Sequence, residues 1–140
     1  MLILLVILSL LPFAFGCVTN WLIMTHPEAT LPSFMLVGTV FLLIWVAIAF
    51  FAKPYIKSTA KIVISTNTVA FLVLVLNGIQ QLLLHRYWMN LVGKLSQLFY
   101  LPLTYIGARL TSWCPSVFSA MCASFILMVI ATIVGSKIRK

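Results

Sequence analysis

IVISTNTVAFLVLVLNGIQQLLL, residues 62–84, runs for 23 residues without a formal charge. A helix needs about 20 predominantly apolar residues to cross the hydrocarbon core of a bilayer, so this stretch is long enough. It also holds Asn67, Asn77, Gln80 and Gln81. On an α-helix Asn67, Asn77 and Gln81 fall within about 80° of one another. Facing lipid, such a stripe would leave carboxamides without partners. It is therefore read as facing other helices or a wet cavity.

The rest of the chain fits a membrane setting. Of 140 residues, 64% are hydrophobic and only 7% charged. A soluble domain carries about 25% charged residues. Too few polar side chains are present to cover a water-facing surface, so the bilayer is the main solvent. The length suits one helical bundle. The net charge is +8, from nine Lys and Arg against one acid, Glu28. The basic residues cluster between apolar runs. They read as orientation signals and contacts for anionic lipid headgroups rather than as a nucleic-acid surface. Cys17, Cys114 and Cys122 have neither CxxC nor zinc-site spacing and read as small packing residues.

Four spans are expected, at about residues 2–23, 33–52, 62–84 and 116–135. In the first, Ser9, Pro12, Gly16 and Asn20 share a face, and Pro12 is expected to kink the helix. Its lack of a basic leader and its continuation past Cys17 argue for a retained span rather than a signal peptide. The loop 24–32 holds His26 and Glu28, too few groups for a metal site. In the second span Gly38, Leu42, Trp45 and Ala49 share a face, which places Trp45 between helices. The connection KPYIKSTAK (53–61) carries Lys53, Lys57 and Lys61, and the tail SKIRK (136–140) carries Lys137, Arg139 and Lys140.

Residues 87–113 are amphipathic, with Asn90, Lys94 and Gln97 along one face and Leu91, Leu95, Leu98 and Phe99 along the other. The preferred reading is an interfacial helix broken at Pro102. The alternative is a re-entrant hairpin turning near Tyr100, Leu101 and Pro102. The last span is rich in small residues at four-residue spacing: Ser116, Ala120 and Ser124; Ser119 and Ala123; Ala131 and Gly135. Such a face admits close neighbours, within the chain or in another subunit. Placing both termini in the cytoplasm puts six basic residues inside and three outside (Arg86, Lys94, Arg109). The opposite orientation inverts that bias.

The expected protein is thus an all-α, polytopic membrane protein of four transmembrane helices. An interfacial or re-entrant segment lies between the third and fourth. The location read from it is a bacterial cytoplasmic membrane. There is no acid in any span, which disfavours ion-coupled transport. Neither a Walker loop, a GxSxG elbow nor an HExxH helix occurs. No cofactor or metal is expected. The leading functional expectation is a non-enzymatic subunit or assembly factor of a membrane complex, or a self-associating one. It would work through the small-residue face and the basic connection. One alternative is a small channel, transporter or holin-like pore lined by the stripe together with Asn20 and Ser9. A second is an enzyme acting on lipids, with His85 and Arg86 near the headgroups.

Overall fold

The structure, a computed structural model, describes residues 1–28, 31–86 and 88–139, with the backbone alone for 31–33. The described chain is helical, with no strand: α1 (Leu2–Leu8), α2 (Leu11–Thr25), α3 (Leu31–Ala52), α4 (Thr59–Gly78), α5 (Leu91–Leu110) and α6 (Val117–Ile138). A π-helical turn, Ile79–Leu83, extends α4. Among the described residues, four stretches are long and apolar enough to cross a membrane: Leu2–Thr25, Phe34–Ala52, Thr59–Leu83 and Val117–Ile138. Each matches its expected span to within a turn. The start of α4 moves back because Ser58 caps it, its hydroxyl accepting from the Lys61 N–H at 3.4 Å. The last helix runs on past Gly135 to Ile138, with Lys137 in its final turn complementing the helix dipole.

The first span is broken where Pro12 predicts a kink. α1 ends at Leu8, α2 restarts at Leu11, and Pro12 occupies the first turn of α2. A proline there needs no N–H partner. Buried Ser9 donates to the Val6 carbonyl at 2.6 Å, which occupies its hydroxyl within the bend. The break lets α1 lean on the start of α4, where Leu5 packs with Ala52, Ile56 and Ile62. Met1, Tyr55 and Arg139 line one cleft, so both chain ends and the α3–α4 connection share one end of the bundle. The opposite end is marked by Gln81 of the π-turn, which donates to Ser116 at the start of α6 at 3.1 Å.

The core is aromatic. Phe41 stacks on Trp45 at 5.2 Å, and Phe13 meets Phe99 edge-on at 4.8 Å. Trp45 is fully buried, between helices as its position predicts. Offset and edge-on ring pairs of this kind add stability beyond the area they bury.

Helix α5 departs from expectation at Pro102. There is no break and no turn near Tyr100; one helix runs from Leu91 to Leu110 with Pro102 inside it. A proline in a helix interior removes the bond to the carbonyl four residues back, here that of Leu98. That carbonyl faces Gly16 of α2 so closely that any side chain at Gly16 would collide with it. The backbone of α2 therefore shields the oxygen that Pro102 cannot serve, consistent with the weak Cα–H contacts common between helices. The buried seam is Gly93, Ser96, Phe99, Tyr100, Pro102, Leu103 and Gly107. The expected leucine face is only partly used, since Leu91 is 72% exposed.

The contacts of α5 show how it lies. Its first turns meet Trp88 and the far end of α4, its middle lies against Gly16 and Gly38, and its last turns meet Ala120 and Ser124 of α6. Both of its ends sit at the Gln81 end of the bundle. It therefore lies across that end instead of running lengthwise, and its Tyr100 hydroxyl reaches inward to the Ala70 carbonyl.

Candidate functional site

The polar groups of the interior gather on α4 in two junctions. The first centres on Asn67. Trp45 of α3 donates its indole N–H to Asn67 Oδ1 at 3.3 Å. Asn67 Nδ2 donates to the Thr132 hydroxyl of α6 at 3.0 Å and to its own helix at the Val63 carbonyl, also 3.0 Å. Thr132 in turn donates to the Met128 carbonyl at 2.8 Å. One carboxamide thus ties three helices, and every polar atom of its side chain is used.

The second junction lies nearer the Gln81 end. Asn77 Nδ2 donates to the Val73 carbonyl at 3.1 Å and to the Ser96 carbonyl of α5 at 2.8 Å. Gln80 Nε2 donates to the Ser96 hydroxyl at 3.1 Å, and Gln80 Oε1 accepts from the Trp88 backbone N–H at 2.9 Å. Ser96 closes the group by donating to the Gly93 carbonyl at 2.8 Å. Asn77 and Gln80 are both fully buried. The oxygen Asn77 Oδ1 is buried without a donor, alone in this among the described residues. Beyond the π-turn, His85 takes a left-handed backbone conformation, φ 50°, and turns the chain out of α4.

The stripe therefore divides. Asn67 and Asn77 point to different helices, Gln80 joins Asn77 although it projects away from the stripe, and Gln81 bonds to Ser116. Asn20 is half-buried on α2, and the bonds just described do not reach it. Ser9, placed with it as a lining group, is tied to Val6 instead. The groups missed in sequence are Trp45, Thr132, Ser96 and the Trp88 backbone. A donor on a ring read only as a packing surface was the available signal for Trp45.

The small-residue face of α6 packs inside the chain. Ala120, Ser124, Ala131 and Gly135 are buried. A side chain on Gly107 of α5 would strike the Ala120 carbonyl, and one on Gly135 would strike the Val46 carbonyl of α3. Enlarging Ala120 would therefore test the chain's own fold before any association. Ala123 is half-buried, and Ser119 donates to the Ser116 carbonyl at 2.7 Å near the start of the helix.

Among the expected headgroup contacts, Lys53 is already engaged. Its ammonium donates to the Lys57 carbonyl at 2.8 Å and the Thr59 hydroxyl at 3.0 Å, closing the α3–α4 connection on itself. Lys57, Lys61, Lys137 and Arg139 are exposed at the same end of the bundle. Lys140 and Tyr87 lie outside the described residues. The cysteines are free, with Cys17 and Cys114 exposed. No cluster of His, Cys, Asp or Glu suited to a metal occurs among the described residues. Compared with protein-family models, curated proteins and solved structures, the chain matches none.

Proposed function

We propose that this chain is a non-enzymatic accessory subunit or assembly factor of a larger membrane complex, with both termini in the cytoplasm of a bacterial cell. The observation that carries the reading is the Asn67 junction. An interior carboxamide bonded at once to α3 and α6 makes a rigid strut of the third span. Interhelical hydrogen bonds of this kind hold membrane helices together at about 0.6 kcal/mol each. A strut of this kind presents fixed lateral faces to neighbours. Extraction from native membranes in mild detergent tests it. The expected result is a particle larger than the monomer, with co-isolated protein in constant ratio. A chain that migrates alone from its native membrane would refute the proposal.

A small pore or transporter is the second reading, and Asn77 favours it. A buried oxygen without a donor lies beside Gln80 and Ser96 and next to a π-turn, a helix irregularity frequent at functional sites. Ion or solute flux into liposomes holding only this protein is then expected, and it should fall in Asn77→Leu. Impermeable liposomes, or flux indifferent to the substitution, would remove this reading.

A further inference from the structure

The cleft at the shared end of the bundle is the feature that neither reading uses. It has a volume of about 470 Å³ and opens between α1 and α3. Its walls are apolar: Leu4 and Leu8 on one side, Ile44, Ala47, Ile48 and Phe51 on the other. That volume lies within the range of sites that hold small molecules. The broken first span creates it. Leu5 packs on Ala49 and Ala52 at the end of α3 and on Ile62 of α4, and the cleft opens beside it between Leu4 and Leu8 of α1 and the flank of α3.

The cleft has a cationic mouth. Arg139 is part of its lining, and the guanidinium sits 5.0 Å over the Phe50 ring. The ring holds the cation in place without neutralising it. Glu28, the one acid in the chain, follows α2 and so lies at the other end of the bundle. A second groove shares Met1 and Tyr55 with the cleft and is lined by Lys57, Ser58 and Lys61. Both ammonium groups are exposed, unlike that of Lys53. The apolar slot thus adjoins, across Met1 and Tyr55, a groove with two ammonium groups and a hydroxyl.

We propose that these adjoining grooves bind an anionic phospholipid, with an acyl chain in the α1–α3 cleft and the headgroup lying over Met1 and Tyr55 toward Arg139, Lys57 and Lys61. The complementarity is twofold. A soluble anion would satisfy the cations and leave the apolar slot unused. A zwitterionic lipid would fill the slot but set its own ammonium among three cations. Only an amphiphile with a negative head matches both halves. The site stands whichever function the chain serves.

The test uses the full chain in detergent micelles, with phosphatidylglycerol, phosphatidylcholine and inorganic phosphate as probes. Binding is read by native mass spectrometry and by titration. Phosphatidylglycerol is expected to bind at least about tenfold more tightly than phosphatidylcholine, whose choline ammonium offsets its phosphate, since each basic residue near a net anionic headgroup contributes roughly a fivefold gain. Arg139→Gln should weaken phosphatidylglycerol about fivefold, and Arg139→Gln with Lys61→Gln about 25-fold. Ala47→Phe, which fills the slot and leaves every charge in place, should abolish retention of the lipid. Arg86→Gln, at the other end, should change nothing. Equal binding of the two lipids would overturn the proposal. So would displacement of phosphatidylglycerol by millimolar phosphate, the sign of a free-anion site, or normal binding by Arg139→Gln. If Ala47→Phe loses its helical signal, the exposed charge variants alone decide.

Discussion

Helix α4 carries two carboxamide junctions built on opposite terms. At Asn67 both halves of the amide are matched. At Asn77 the nitrogen has two acceptors and the oxygen has no donor. The contrast follows from the supply of partners inside a helical bundle. An amide nitrogen always finds a carbonyl one turn back on its own helix. Both asparagines do so, at Val63 and Val73. The oxygen is harder to satisfy, because nearly every backbone N–H nearby is already bonded within a helix. A donor must come from a side chain or from backbone outside a helix. Trp45 supplies the first kind to Asn67, and Trp88 supplies the second to Gln80. Neither reaches Asn77.

Removing each amide in turn puts the contrast to a measurement. Asn67→Leu should have the largest effect, a loss of about 2 kcal/mol. It breaks bonds to two helices and leaves the buried Trp45 N–H without an acceptor, and an orphaned buried donor costs about 1–3 kcal/mol. Reversible unfolding in mixed micelles, followed by the far-ultraviolet helix signal, would read it. A change below about 0.5 kcal/mol would mean that the Asn67 junction holds nothing together. Gln80→Leu should cost less, about 1 kcal/mol. Its partners are the Ser96 hydroxyl, which keeps its bond to Gly93, and the Trp88 N–H, which lies in the partly buried connection before α5. The same titration checks it, and the loss should appear alongside faster hydrogen exchange at the Trp88 amide.

The spans were legible because their signal is local: long charge-free runs, a proline at the first bend, small residues at four-residue spacing. The junctions were legible by half. Four carboxamides in one apolar run announced that partners were needed, but the partners come from elsewhere in the chain. Trp45 was read as a large ring, and its single N–H is what completes Asn67. Gln80 projects off the stripe, yet it is fully buried, because α5 and the segment before it cover that side of α4. Lys53 was read by its charge, and its hydrogen bonds to the connection are invisible to a charge count. Pro102 misled for a related reason. Its local rule is to break a helix, and the rule is offset here by a glycine on α2 that no window around Pro102 contains.

Asn77→Leu should have the smallest effect, and its sign is the sharpest point of the comparison. The substitution removes two donations, but both acceptors are carbonyls of helical residues that keep their backbone partners. It also removes Oδ1, whose desolvation no hydrogen bond offsets. Leucine keeps the branched four-atom outline of the asparagine side chain and brings no polar atom that needs a partner. The two terms oppose each other, so stability should stay within about 0.5 kcal/mol of the parent or rise. The same unfolding titration reads it beside Asn67→Leu, on one helix and with one substitution type. A loss above about 1.5 kcal/mol would show that Oδ1 is bonded in the membrane to something outside the chain, such as a buried water or a permeating solute. The two junctions would then be equally well satisfied, and the pore reading that rests on Asn77 would be favoured over the subunit reading.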